Sequence, residues 1–269
     1  MATPTPRPRR QKPLLDPKLR ERSIYLLPNL FTSASLFAGF YSMVQAMGGH
    51  FEQSAVAIFI AMVMDGLDGR VARLTNTQSA FGAEYDSLSD MVSFGVAPAL
   101  VMYVWALKPM GKLGWIAAFI FCASAALRLA RFNTKLDESD KRWFQGLPSP
   151  AAAALLAGLI WVANDNGIAG TEVFFGWIQM KWLAWVATVF AGITMVSDLR
   201  YYSGKDIDLR RSVPFMMILA IVFSFVLISY SPPVVLFMLF VGYGVSGYVG
   251  WVGDRMKRPA QQDTLPPAS

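Results

Sequence analysis

The chain has a single cysteine, Cys122, and a single histidine, His50. A lone thiol excludes a disulfide framework and any cysteine-based metal site. A lone imidazole in the turn MGGH at 47–50 reads as a solvated loop residue and leaves acid–base chemistry to carboxylates. Charge is also scarce, since Asp, Glu, Lys and Arg together make up 16% of the 269 residues and avoid long stretches of the chain. There is no internal repeat, no second domain, and no segment that alternates as the staves of a membrane barrel would. The opening MATPTPRPRRQKP has no apolar centre, so it is neither a cleaved leader nor a folded unit, and residues 1–15 are expected to be a disordered basic arm.

What is abundant is apolar surface: 54% of the residues are hydrophobic and the mean hydropathy is +0.40. A bilayer core about 30 Å thick needs roughly 20 apolar residues per helical crossing. Segments of that kind fall near 28–48, 53–73, 87–107, 113–132, 149–166, 181–197, 213–230 and 233–252, which predicts eight spans. Unpaired backbone is too costly in lipid for any form but the helix here, so the fold class is an all-α polytopic membrane bundle. With both termini on the cytoplasmic side, 21 of the 24 Lys and Arg residues face inward, and only Lys108, Lys112 and Lys181 face out. The net charge of +6 is then a topology signal and an attraction to anionic headgroups rather than an affinity for nucleic acid. Trp105, Trp115, Trp177 and Trp182 are expected at the outer interface, with Trp143 and Trp251 at the inner one. Residues 16–27 predict a short amphipathic helix on the membrane surface, 28–254 the membrane domain, and 255–269 an unstructured tail.

The run DGLDGRVARLTNTQSAFGAEYDSLSD at 65–90 contradicts its surroundings. Asp65 and Asp68 lie three apart, about one turn inside the membrane, and so share a helix face. After a polar loop, Asp86 and Asp90 return four apart, also on one face. Each mid-membrane Asp costs about 2.5–3.5 kcal/mol on insertion scales, so four close together need compensating positive charge. Arg73 alone cannot supply it, and no intramembrane Lys or His is at hand. One or two bound divalent cations are the economical answer, and oxygen-only ligands select hard ions, Mg²⁺ or Mn²⁺. Gly66 and Gly69 share a face with Arg73, and Gly82 precedes Asp86 by one turn. Missing side chains there let a ligand reach the backbone while the guanidinium forks onto phosphate oxygens. Close helix packing is the alternative use of those glycines.

This run resembles, without departure, the signature of the CDP-alcohol phosphotransferase family: DxxDGxxAR, eight residues, GxxxD, then xxxD. The resemblance implies that a hydroxyl attacks the β-phosphorus of a CDP-activated lipid and releases CMP at a cytoplasmic site. It implies metal ligation by Asp65, Asp68 and Asp86, with Asp90 completing the carboxylate set and acting as general base. It also implies contacts to the CDP moiety from Gly69, Ala72, Arg73 and Gly82. Asn29 reads either as a further nucleotide contact or as a helix cap after Pro28. Homodimers are common in the family.

Three other stretches, PNLFT at 28–32, ALRLARFN with FQGLPSPAAA across 126–154, and MVSDLRYYSGKD at 195–206, resemble the membrane-embedded phosphatidylserine synthase branch. That branch joins L-serine to CDP-diacylglycerol. A serine site needs a cation for the carboxylate, and the candidates are Arg128, Arg131 and Asn133 at the end of the fourth span and Arg200 and Lys205 after the sixth. Basic anchors that snorkel to headgroups are the competing use of the same residues. Asp198 reads as an ammonium partner or as the mate of Arg200. GLPSPAAAA is expected to break and restart a helix at Pro148 and Pro150. Tyr85 is expected to face away from the carboxylates. Rival readings are the same chemistry on inositol phosphate, glycerol phosphate or choline, an aspartate-rich prenyltransferase, and a metal-ion transporter with the acids as its conduction site.

Overall fold

The computed structural model describes residues 17–75, 77, 79–134, 143–176, 178–202 and 215–262. Eight helical rods account for nearly all of them, at the positions the apolar runs predict. The first two are α1 (Pro17–Met47) and α2 (Phe51–Thr75). The third rod is compound, with α3 (Ala80–Asp90) and α4 (Ala97–Met102) joined and extended by π-helical turns at Met91–Val96 and Tyr103–Leu107. Then follow α5 (Lys112–Thr134), α6 (Ser149–Asp165), α7 (Met180–Val196), α8 (Phe215–Tyr230) and α9 (Pro232–Gln262). Among the described residues, Ala80–Met110, Lys112–Thr134 and Pro232–Gly253 are each long and apolar enough to cross a membrane unaided. Shorter apolar helices such as Met180–Val196 complete the bundle.

α6 is its axis. Every residue from Ala151 to Ile160 is buried, because the run AAAALLAGLI presents side chains small enough for neighbours to close in on all sides. A Cβ on Gly158 would lie only 3.1 Å from the Phe237 backbone of α9. Pro148 precedes the first turn and Pro150 lies within it, where a missing N–H leaves no hydrogen bond broken. The expected restart of the helix at GLPSPAAAA is thus observed. α1 and α2 form the closest hairpin. Ser42 Oγ donates to the Ser54 carbonyl and Ser54 Oγ to the Ser42 carbonyl, both at 2.7 Å. Hydroxyls in a membrane interior need such partners, and a backbone carbonyl is the nearest one. α1 also meets the third rod without a gap, since a Cβ on Gly39 would lie 2.5 Å from Ser93 Oγ.

The structure departs from the sequence reading in several places. Residues 17–27 are not a separate surface helix but continue into α1 through Pro28. The third rod starts at Ala80, inside the expected loop, because Ser79 caps it by accepting a hydrogen bond from the Gly82 N–H at 3.0 Å. Trp105 is 5% exposed and belongs to the core rather than to an interfacial belt, whereas Trp115 and Trp182 are exposed. Trp177 lies outside the described residues. α9 runs on to Gln262, past the expected boundary at 254. The basic arm 1–15 and residues 263–269 lie outside the described residues.

Two small antiparallel ribbons were not foreseen. β1 (Trp143–Gln145) pairs with β4 (Arg200–Tyr202), setting Phe144 opposite Tyr201 and Gln145 opposite Arg200. β2 (Val173–Phe175) pairs with β3 (Ile178–Gln179) at the other end of the bundle. The first ribbon is keyed into α9 by Tyr201, which is fully buried and donates to the Gly244 carbonyl at 2.8 Å. Gly146 then brings the chain from β1 onto the end of α7. It has φ +75°, its N–H donates to the Leu199 carbonyl at 2.8 Å, and a Cβ there would lie 2.1 Å from the Met195 carbonyl oxygen. Only glycine fits.

Gly146→Ala should therefore lower stability by at least about 2 kcal/mol, read as a fall in melting temperature of the detergent-solubilised protein. Gly242→Ala, where a Cβ meets nothing within 4 Å, should leave the melting temperature unchanged or raise it, by at most about 1 kcal/mol.

Candidate active site

The hairpin of α2 and α3 brings the acids together. One ligand oxygen from each of Asp65, Asp68 and Asp86 lies within 4.8 Å of the others. Asp90 joins them with its side chain beside that of Asp65. At that spacing two full negative charges repel by about 3–4 kcal/mol at an effective dielectric of about 20. A fully ionised quartet is therefore unstable without a cation. Asp68 is the buried member of the trio, and Thr32 Oγ1 of α1 donates to its Oδ2 at 2.8 Å.

Two carboxylate atoms, Asp86 Oδ1 and Asp90 Oδ1, are buried with no hydrogen-bond partner among the described residues. A buried oxygen of that kind costs about 1–3 kcal/mol unless something fills its lone pairs. The donor set is oxygen alone, with neither thiol nor imidazole nearby, so the cluster fits a hard divalent cation.

Beside the acids opens a cleft of about 290 Å³ between α1, the end of α2, the connection through Thr77 and Ser79, and the start of α3. Its lining includes Asn29, Gly69, Ala72, Arg73 and Gly82 together with Asp68 and Asp86. The five residues singled out for nucleotide contact are thus brought into one cavity with two of the acids. A Cβ on Gly69 would meet nothing within 4 Å. That glycine is therefore not required by packing, and its bareness leaves the cleft open.

The candidate acceptor residues divide. Arg128 turns inward: its Nη1 donates to Ser149 Oγ at 2.9 Å, its Nε is buried with no partner among the described residues, and it lies within electrostatic reach of Asp90 and Tyr243. Arg131 is already engaged, with Nη2 shared between Gln145 Oε1 at 2.9 Å and the carboxylate of Asp198. Asp198 is thus the mate of Arg131 rather than of Arg200. Asn133 Nδ2 donates to Ser87 Oγ at 3.0 Å, tying the end of α5 to the turn of α3 between Asp86 and Asp90. Arg200 is exposed on β4, where it stands opposite Gln145. Lys205 lies outside the described residues. The Tyr85 hydroxyl reaches α1, where it lies 2.8 Å from Ser33 Oγ.

Thr32, Ser149 and Gln145 are among the polar residues near the site that the sequence reading passed over. Thr32 closes the quoted PNLFT, and Ser149 sits between the two prolines. Neither carries a charge, so only its partner reveals its position.

A family description, CDP-alcohol phosphatidyltransferase, matches residues 25–193. The chain belongs to this family. Its relatives include proteins named CDP-diacylglycerol--serine O-phosphatidyltransferase from three distant sources. The one from Helicobacter pylori (strain J99) is 36% identical over 230 residues, covering 85% of this chain and 92% of its own. The one from Methanocaldococcus jannaschii is 40% identical over 144 residues, covering 54% and 61%. The one from Saccharomyces cerevisiae is 35% identical over 164 residues, covering 56% and 58%. The family match stops short of β4 and α9. Asp198, Tyr201 and Tyr243, which fasten the arginine end of the site, thus lie outside it.

A divalent cation should stabilise the family hairpin measurably. At about 100 times its dissociation constant, Mg²⁺ or Mn²⁺ should add about 2.7 kcal/mol of stability to chelator-stripped protein, seen as a rise in melting temperature. Asp86→Ala should remove that rise.

Proposed function

We propose that the protein is a phosphatidylserine synthase: it transfers the phosphatidyl group of CDP-diacylglycerol to the hydroxyl of L-serine, yielding phosphatidylserine and CMP. The observation that carries this reading is the convergence of Asp65, Asp68, Asp86 and Asp90 beside a cleft lined by Asn29, Gly69, Ala72, Arg73 and Gly82. The similarity to relatives of that name over 85% of the chain supports the choice of serine.

The cleft takes the cytidine end, with the bare face of Gly69 admitting it and Arg73 available to fork onto phosphate oxygen. Asp65, Asp68 and Asp86 would hold Mg²⁺ or Mn²⁺. When bound, such an ion neutralises diphosphate charge and polarises the bond to be broken. Asp90, with one oxygen unpartnered, takes the proton of the serine hydroxyl. The serine oxygen then forms its bond to the β-phosphorus as the bond from that phosphorus to the bridging oxygen breaks, and CMP leaves with the electron pair.

Arg128 is the residue this reading assigns to the serine carboxylate. Its free Nε and its proximity to Asp90 would hold the amino acid with its hydroxyl toward the base. Arg131 and Asn133 serve as ties between α5 and its neighbours, and Arg200 and Lys205 as basic anchors at the headgroups. The 21 basic residues on the side of the site argue that it opens to the cytoplasm.

The deciding experiment offers purified protein radiolabelled CDP-diacylglycerol with serine, glycerol 3-phosphate, inositol phosphate or choline in turn. Release of CMP with serine alone, abolished by chelator, is expected; release with another acceptor in preference reassigns the substrate. Asp90→Asn should eliminate turnover while CDP-diacylglycerol still binds, and persistent turnover removes Asp90 as the base. Arg128→Ala should raise the KM for serine at least about tenfold while the KM for CDP-diacylglycerol holds, reflecting loss of a charge-assisted contact of about 1.5–3 kcal/mol.

A further inference from the structure

Asp68 is the one acid of the clustered trio that is buried, at 6% exposure, and the one that accepts a hydroxyl proton from α1. The donor, Thr32, is itself 3% exposed. Its Oγ1 has two acceptors in range, Asp68 Oδ2 at 2.8 Å and the Pro28 carbonyl at 3.2 Å. A hydroxyl carries one proton, and the nearer, ionisable acceptor takes it. The backbone carbonyl of the same residue accepts from Ser89 Oγ at 3.1 Å, and Ser89 is buried next to Asp90. Thr32 is therefore fastened through its side chain to Asp68 of α2 and through its main chain to Ser89 of α3, the neighbour of Asp90. It also lines the cleft.

We propose that Thr32 is a positioning residue that commits Asp68 to hold a cation through one oxygen, and so biases the site toward a small octahedral ion. The proposal rests on the metal reading given above. With one lone pair of Oδ2 engaged and the carboxylate plane tied to a buried partner on α1, turning both oxygens squarely onto one ion would strain the bond to Thr32. Mg²⁺ takes single oxygens at short range in near-ideal octahedra, whereas the larger Ca²⁺ accepts six to eight ligands and readily takes a carboxylate by both oxygens. Fixing the plane of a carboxylate therefore favours the first ion, and freeing it favours the second. Outer hydrogen-bonding partners of this kind commonly govern metal affinity by factors of about 10–100.

The test measures ion binding rather than turnover. Chelator-stripped full-length protein in detergent, without nucleotide, is titrated calorimetrically with Mg²⁺ and separately with Ca²⁺. Thr32→Val keeps the shape and removes the donor; Thr32→Ser keeps the donor; Thr32→Cys supplies a weak one. The valine variant should raise the dissociation constant for Mg²⁺ about tenfold and leave or lower that for Ca²⁺, so that the preference between them collapses. Serine should preserve the preference, and cysteine should fall between, which keeps the order readable if the valine variant does not fold. Equal weakening of both ions, or no change for either, overturns the assignment to Thr32 while leaving the metal site intact. Failure of the wild-type protein to bind either ion overturns the metal reading and this inference together.

Discussion

Four carboxylates that repel one another, held together inside a membrane bundle, are the constraint on which this structure depends. Apart from an ion or a shared proton, packing has to keep Asp65, Asp68, Asp86 and Asp90 in contact, and it must therefore be strong around the hairpin that carries them. The α1–α2 pair is locked by reciprocal bonds between two buried serines close to the turn that joins the helices. The third rod is pressed onto α1 at Gly39 and Ser93 and tied to it by Ser89 and Ser93 hydroxyls on α1 carbonyls. Association in lipid lacks the hydrophobic drive available in water, so close approach and satisfied hydroxyls have to serve instead.

The same constraint accounts for the irregular geometry of the third rod. A π-helical turn starts at Met91, immediately after Asp90, where one extra residue per turn shifts the faces of the helix above and below it. Asp86 and Asp90 face the acids of α2, while Ser93, Phe94 and Gly95, inside the π-turn, face the bundle core. Beyond the acids, the arginines at the end of α5 are held by elements far apart in sequence. Arg128 from α5 meets Ser149 from the start of α6, and the ribbon of β1 and β4 holds Arg131 through Gln145 and Asp198. Tyr201 plugs that ribbon into α9. The cleft side of the site lies within a single hairpin and α1, and the arginine side is assembled by the tertiary fold.

That division explains what could be read beforehand. The acids, glycines and Arg73 of the motif are local: helical periods of three and four residues put them on shared faces, and a short loop returns the second helix to the same depth. The eight rods were legible for the same reason, because the bilayer sets a length that the apolar runs reveal directly. The arginines were ambiguous. Arg128 and Arg131 lie three apart on one helix end and look alike, yet one is turned toward Asp90 and the other is consumed by Asp198, a difference decided by partners 21 and 67 positions away, Ser149 and Asp198, rather than by the helix itself. Trp105 was misplaced because an indole at the end of an apolar run looks interfacial whether or not other helices cover it.

By itself, then, the sequence determined the membrane class, the number and order of the helices, and the carboxylate hairpin with its glycine-lined face, because each follows from spacing along one helix or from the thickness of the bilayer. Only the tertiary structure decided which arginine faces the acids, that Thr32 binds Asp68, and that Tyr201 and Gly146 dock the ribbon beside the site. Those choices depend on which surfaces meet across the bundle, and side chains without charge or periodicity carry no mark of their partners until the helices are packed.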